Sequence, residues 1–204
     1  VFGTLGPDDP PFREADPFRP NNPYAATKAG ADHLVRAAFR THGLPVVTTH
    51  GTNTFGPRQH AEKLIPKAIA CARRGEPIPV YGDGRQVRDW LAVADHCAAI
   101  RAVLSSGTPG ASYVVGSGHG RSSREVVEHV CRVLDELAPE SPHRPHARWI
   151  RSVEDRPGHD RRYAVDPTKI RDALDWRPRE TFEETLRATV AWARARLAGD
   201  GGGS

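Results

Sequence analysis

Apolar and polar positions along the chain switch repeatedly between a helical and a strand period. From Pro23 to His42 bulk recurs at Leu34, Val35, Ala38 and Phe39, while Ala25, Ala26, Ala29, Gly30 and Ala31 keep the first half slim. That pattern predicts a helix able to approach a sheet or another helix closely, with Gly43 as its stop. Leu44–Thr49 is a β-branched run suited to a buried strand. A helix over Ala61–Arg74 ends at Gly75, and a short strand follows at Ile78–Tyr81 before the Gly82-Asp83-Gly84 turn. Gln86–Leu91 reads as a strand and Ala94–Leu104 as a helix burying Cys97, Ile100 and Leu104. Ser112–Val115 is a further strand.

Two capping boxes mark later helices. Ser122-Ser123-Arg124-Glu125 opens one carrying Val126, Val127, Val130, Val133 and Leu134, and Thr181-Phe182-Glu183-Glu184 opens one whose stripe is Phe182, Leu186, Val190, Ala193 and Leu197. Between them, residues 143–146 read as loop, Arg148–Ile150 as a strand, and Asp166 to Leu174 as a short helix. Residues 4–23, rich in Pro, Asp and Gly, predict irregular backbone. Strands alternating with helices argue for an α/β fold with a largely parallel sheet.

The 204 residues suffice for one domain with a sizeable core. Hydrophobic content of 38% beside 26% charged residues is ordinary for a globular protein, and no apolar run approaches the ~20 residues of a membrane span. No secretory signal is visible, so the expected location is the cytoplasm. Cys71, Cys97 and Cys131 are too far apart for metal-ligand spacing and predict reduced, mostly buried thiols. A net charge of +4 spread over dispersed basic residues predicts no nucleic-acid partner and suits a small anionic ligand. His143-x-x-His146 contains a proline and predicts no metal site.

Candidate chemistry concentrates in two places. In Asn22-Pro23-Tyr24-Ala25-Ala26-Thr27-Lys28, Asn22 can cap the helix, and Tyr24 and Lys28 fall at i and i+4, on one face. A nearby ammonium favours a phenolate, which makes Tyr24 a candidate base. Tyr-x-x-x-Lys also arises by chance on surface helices, so the pair needs support from the rest of the chain. Glu154-Asp155-Arg156-Pro157-Gly158-His159-Asp160-Arg161-Arg162, with Arg88 beside Asp89 and Trp90, could grip a diphosphate through guanidinium forks. The same stretch reads equally as a solvated loop with internal ion pairs. Gly116-Ser117-Gly118-His119-Gly120 lacks the spacing of a phosphate loop.

Taken together, Tyr24-x-x-x-Lys28, the loop Asn53–Gln59, Glu62-Lys63-Leu64-Ile65-Pro66, Tyr81-Gly82-Asp83-Gly84-x-x-Val87-Arg88-Asp89-Trp90-Leu91, Asp95-His96, Asp155-Arg156-Pro157-Gly158-His159-Asp160 and Leu174-Asp175-Trp176 resemble, in order, the dTDP-glucose 4,6-dehydratases of the extended short-chain dehydrogenase/reductase family. The resemblance runs from Val1 to about Leu197. It implies a partial Rossmann-type parallel sheet with a smaller α/β substrate-binding domain. The expected division is 1–60 for the NAD-binding part, interleaved with later segments, 61–198 mainly for the sugar nucleotide, and 199–204 as a flexible tail. It implies NAD as cofactor, a dTDP-sugar as substrate and a homodimer when complete. Tyr24 would take the sugar 4-hydroxyl proton, and Lys28 would lower the Tyr24 pKa and hold the nicotinamide ribose. Thr54 would lie near the nicotinamide. Asn53, Glu62, Lys63, Leu64, Pro79, Val80 and Tyr81 would line the sugar-nucleotide site. Arg88, Asp155, Arg156 and His159 would stand at the diphosphate.

The resemblance has departures. Thr54 stands where family members usually carry asparagine, as does Val114 after Tyr113, and Phe55-Gly56-Pro57-Arg58-Gln59 looks more like related sugar-nucleotide epimerases and decarboxylases. The resemblance also places the acid and base for water loss, and the NAD fingerprint, ahead of Val1. The chain is therefore expected to be inactive alone, as a C-terminal portion of such an enzyme or as a non-catalytic remnant that binds a nucleotide sugar.

Overall fold

The computed structural model describes residues 1–199. Of the tail expected over 199–204, Gly199 closes the last helix and the rest lies outside the described residues, as does the side chain of Leu197 at the end of the last apolar stripe. The chain divides into two compact units. The first comprises Val1–Thr54, Val87–Gly120 and Pro157–Arg179; the second comprises Phe55–Gln86, Arg121–Arg156 and the chain from Glu180 onward.

In the first unit, α1 (Pro23–His42) begins where Asn22 Oδ1 accepts from Ala25 N at 2.8 Å, and ends at Gly43 in the left-handed region, φ 65°. β1 (Thr48–Gly51) pairs in parallel with β5 (Ser112–Val115), Thr48 opposite Ser112. The strand expected at Leu44–Thr49 thus starts later. Gly110 N already donates to Val46 O, but the regular ladder starts where Thr48 N reaches Ala111 O, and Leu44 is left 49% exposed. β4 (Val87–Ala92) pairs in parallel with β8 (Arg162–Tyr163), and α5 (Thr168–Leu174) follows. The core gathers Leu91, Tyr113, Val115, Ile170 and Trp176 around α3 (Val93–Ser106). A smaller aromatic cluster joins Phe2, Phe12 and Phe18.

The buried face of α3 is opposite to the one expected from the sequence. Asp95, Ala99 and Val103 are buried, whereas Cys97 is exposed, Ile100 is 38% exposed and Leu104 73%. Short side chains let the helix lie close to its neighbours. Asp95 uses both carboxylate oxygens on Arg179 N at 3.0 Å and its carbonyl on Trp176 Nε1 at 3.3 Å. A buried carboxylate so fully bonded fixes the rotation of the helix more firmly than the bulkier residues on its far side.

β2 (Asn53–Phe55) and β6 (Gly120–Ser122) carry the chain from one unit to the other. In the second unit, α2 (Leu64–Arg74) starts later than Ala61, with Lys63 at its cap and Pro66 in its first turn, where no N–H is needed. β3 (Ile78–Tyr81) pairs in parallel with β7 (Ile150–Val153); the strand expected at Arg148–Ile150 is shifted because His146–Trp149 winds into a 3₁₀ turn. α4 (Ser123–Leu137) packs on α2 and on α6 (Phe182–Gly199), burying Val126, Val127, Val130, Leu134, Leu186 and Val190.

Both capping boxes form. Ser122 Oγ accepts from Glu125 N at 3.2 Å while Glu125 Oε2 accepts from Ser122 N at 2.7 Å, and Thr181 and Glu184 repeat the exchange. These bonds hold the Glu125 carboxyl below its usual range, the backbone and hydroxyl bonds from Ser122 being the main cause. Ser122→Ala is expected to cost about 1 kcal/mol, read as a shift of the urea midpoint without a change in slope.

The cysteines differ from expectation in one position: Cys71 and Cys131 are buried, but Cys97 is exposed. Burial, reinforced by Asp135 and Glu128, pushes the Cys131 thiol up to about 12. Titration of the folded protein with a chromogenic disulfide is therefore expected to release one equivalent rapidly, from Cys97. Rapid labelling of Cys131, located by peptide mapping, would contradict that packing.

Candidate functional site

The first unit assembles one group of candidates around the start of α1. Tyr24 is 75% exposed, and Lys28 is also exposed, one turn along the same face. The loop that follows β7 comes back against the residues just before this helix. Asn21 Nδ2 donates to Asp160 Oδ1 at 2.9 Å, and a Cβ on Gly158 would stand 3.3 Å from Asn21 O. Gly158 has φ 68°, which glycine adopts without strain. Arg88, on β4, donates to Asp160 O at 2.7 Å and to Val87 O at 2.7 Å. A continuous set of hydrogen bonds thus runs from Arg88 through Asp160 to Asn21, next to the cap of the Tyr24 helix. His159, half-buried, belongs to the same loop.

Asn53 and Thr54 lie on β2 at the carboxyl end of β1, the usual position for ligand-contacting residues in parallel sheets. Asn53 is exposed. The Thr54 hydroxyl meets His96 Nδ1 at 2.6 Å. The His96 ring in turn lies against Gly51, where any Cβ would come within 2.6 Å of it. Burial pushes the His96 pKa down, so the ring is neutral near pH 7 and one nitrogen accepts while the other donates.

Asp89, beside Arg88, does different work. Its buried carboxylate accepts from Ser117 N at 2.9 Å, Ser117 Oγ at 2.5 Å and Gly118 N at 3.0 Å. Burial raises its pKa, with those hydrogen bonds opposing the rise. A side chain at Gly116 would strike Asp89 Oδ2 at 2.5 Å. The glycine-rich stretch is therefore a clamp on a buried carboxylate, which accounts for its composition without a phosphate.

The second unit forms a separate group. Tyr81 ends β3, and the Arg156 guanidinium sits 4.8 Å above its ring. Asp155 accepts from Gln86 Nε2 at 2.8 Å and from Arg156 N at 2.8 Å, which fixes the backbone from which Arg156 projects. Pro79 is half-buried and the Val80 side chain is fully buried, so Val80 can meet a ligand only through its backbone. Glu62, Lys63 and Leu64 occupy another element, the start of α2.

The structure thus brings together Tyr24, Lys28, Arg88 and His159 in one unit and Tyr81, Asp155 and Arg156 in the other. The Thr54–His96 pair, the Asn21–Asp160–Arg88 link and the Asp89 clamp were not anticipated. Asp95-His96 is visible in the sequence, but the partners of Asp95, His96 and Asn21 lie dozens of residues away.

Comparison with known proteins places this arrangement. A family model described as GDP-mannose 4,6 dehydratase matches residues 1–189. A dTDP-glucose 4,6-dehydratase of Xanthomonas campestris pv. campestris is 53% identical over 192 residues, covering 94% of this chain and 54% of the relative. The Escherichia coli enzyme of the same name is 46% identical over 202 residues, covering 94% of this chain and 56% of the relative. A Bacillus anthracis dTDP-glucose 4,6-dehydratase solved in complex with NAD superposes with a TM-score of 0.87 at 40% identity, over 97% of this chain and 60% of that one. A Thermus thermophilus UDP-glucose 4-epimerase, also with NAD, gives 0.82 at 30% identity, over 95% and 60%. The chain spans about half the length of the curated relatives it matches. With a family model covering nearly all of its length and an α/β fold shared with these enzymes, the chain belongs to the GDP-mannose 4,6 dehydratase family.

Proposed function

We propose that this chain is the sugar-nucleotide-binding portion of a dTDP-glucose 4,6-dehydratase, the enzyme that converts dTDP-glucose to dTDP-4-keto-6-deoxyglucose with NAD. The observation that carries the reading is the hydrogen-bonded link from Arg88 through Asp160 to Asn21. It ties a candidate diphosphate ligand to the helix that presents Tyr24 and Lys28.

In this reading Tyr24, as phenolate, takes the proton of the 4-hydroxyl. Lys28, one turn away, stabilises the phenolate charge and donates to ribose hydroxyls. The exposed Tyr24 and Lys28 side chains share one helix face, which suits hydrogen bonding to the hydroxyls of a nicotinamide ribose. NAD, when bound, would supply the hydride acceptor for oxidation at C4 and the hydride for reduction at C6, on either side of the loss of water across C5–C6. In the first unit Arg88, with His159 in the neighbouring loop, and in the second unit Arg156, held through Asp155, are each candidates to bind diphosphate oxygens. Tyr81, Pro79 and the Val80 backbone face the base, and Asn53, Glu62, Lys63 and Leu64 line the sugar side. Among the described residues no helix is long and apolar enough to cross a membrane. A cytoplasmic location and a homodimer of the complete enzyme belong to the same reading.

Because the chain spans about half of its relatives' length, incubation of the 204-residue protein with dTDP-glucose and NAD is expected to give no dehydrated product by mass spectrometry. Formation of the 4-keto-6-deoxy sugar would contradict the assignment of the elimination acid and base to another part of the enzyme. The epimerase reading has the motif Phe55–Gln59 and the Thermus structure in its favour, and it predicts tighter binding of UDP than of dTDP.

A further inference from the structure

The turn that follows β3 is closed by one buried side chain, Gln86, which is 2% exposed. Its amide nitrogen donates both hydrogens, one to Tyr81 O at 3.2 Å and one to Asp155 Oδ2 at 2.8 Å. Both partners are acceptors, so the carboxamide has a single orientation: turned over, its oxygen would face two other oxygens. In that orientation Gln86 Oε1 is buried and has no hydrogen-bond partner among the described residues. The main chain is anchored as well, with Gln86 O accepting from Ser123 N at 3.0 Å at the start of α4. All of these residues belong to the second unit.

Stability alone does not account for this glutamine. A buried polar atom left unpaired is costly, and an unbranched apolar side chain such as methionine fits a similar space without that cost. Nor do the partners depend on it. Tyr81 O also accepts from Gly84 N at 3.1 Å, and Asp155 is exposed, where water replaces a lost donor. What the carboxamide does is hold Asp155 against the turn. The chain leaves room for that contact at Gly82, where a Cβ would stand 2.9 Å from Asp155 Oδ2 and 3.1 Å from Gln86 Nε2. The other carboxylate oxygen of Asp155 accepts from Arg156 N at 2.8 Å, and the Arg156 guanidinium lies 4.8 Å from the centroid of the Tyr81 ring. Gln86 thus touches the backbone of one member of this stacked pair and, through Asp155, the backbone of the other.

We propose that Gln86 is the positioning residue of the candidate nucleotide site in the second unit. By joining Tyr81 O to the carboxylate that holds Arg156 N, it sets the Tyr81–Arg156 pair before a nucleotide arrives. Arg156 is exposed, and a long side chain on an exposed loop has many rotamers to lose on binding. Fixing its backbone and stacking its guanidinium beforehand removes part of that loss, which is how preorganisation raises affinity. The effect on nucleotide binding rests on the proposed function; the ordering of Arg156 in the protein alone does not.

The test uses Gln86→Met in the 204-residue chain. NMR reads the Arg156 side-chain protons, which stacking over Tyr81 shifts upfield; their signals are assigned by their loss in Arg156→Ala. In Gln86→Met the upfield shift is expected to collapse toward the value of an exposed arginine, while the urea midpoint stays level or rises. dTDP is expected to bind about 10-fold more weakly, and that loss to vanish in the Arg156→Ala background, because Gln86 acts through Arg156. Asp155→Asn breaks the link at its other end and is expected to remove the shift too; it decides the matter if Gln86→Met lowers the midpoint. An upfield shift retained in either folded variant, or losses of dTDP binding that add in the double variant, would overturn the proposal. Failure of the unaltered chain to bind dTDP would count against the proposed function alone, and the Arg156 shift would still decide the role of Gln86.

Discussion

Tyr113→Ala is expected to destabilise the first unit by about 3–5 kcal/mol, the range for removing a buried aromatic side chain. Tyr113 is 2% exposed and is surrounded by Leu91, Ala99, Val103, Val115, Ile170 and Trp176. Strand β5 and helices α3 and α5 therefore all lose contacts when it is cut back. The hydroxyl adds a second, smaller term, because it accepts from Thr108 N at 3.0 Å. Tyr113→Phe keeps the ring and leaves that N–H without its partner, at a cost of about 1 kcal/mol. The pair of variants separates packing from hydrogen bonding in one urea-denaturation series. A loss below ~1 kcal/mol for Tyr113→Ala would contradict the central place given to this residue.

The second large effect is on binding. Arg156→Ala is expected to weaken dTDP by about 10–100-fold, the equivalent of the ~1.5–3 kcal/mol of a hydrogen bond to a charged group. Arg156 is exposed and anchored by its backbone through Asp155, so stability should change by less than ~0.5 kcal/mol. Thymidine without phosphates separates two roles for the guanidinium. If Arg156 grips the diphosphate, thymidine binds the variant as it binds the unaltered chain. If its stacking on Tyr81 shapes the base platform instead, thymidine weakens too. Arg156→Lys should recover only part of the loss, because an ammonium cannot form the two-pronged contact.

Local signals in the sequence carried through wherever a short-range rule decides the outcome. Asn22 and Gly43 bound α1, Ser122–Glu125 and Thr181–Glu184 close their boxes, and Ile78–Tyr81 and Ser112–Val115 form strands over those spans. The α3 face was not legible because hydropathy ranks Ile100 and Leu104 above Asp95, whereas the fold buries Asp95 through the distant Arg179 and Trp176. The late start of β1 likewise depends on where Ala111 arrives, some sixty residues on. Within the candidate site, Tyr24 and Lys28 were visible by spacing and Arg88 and Arg156 by their motifs. The Asn21–Asp160 bond that joins the first group could not be seen, since it spans 139 residues and no local pattern pairs the two loops.

The Asp89 clamp shows how composition alone can mislead. Three glycines within Gly116–Gly120 suggest a ligand cradle, yet the donors of Ser117 and Gly118 are spent on a buried carboxylate from β4. Space and backbone conformation explain the first two glycines: a side chain at Gly116 has no room beside Asp89, Thr52 and Val165, and Gly118 has φ 79°.

The most direct test of the central claim is a calorimetric titration of the 204-residue chain with dTDP, and in parallel with UDP, without added NAD. The account predicts saturable binding of dTDP, weaker binding of UDP, and loss of the dTDP signal in Arg156→Ala. Absence of dTDP binding, or a preference for UDP, would contradict the assignment of this chain to the substrate-binding part of a dTDP-glucose 4,6-dehydratase.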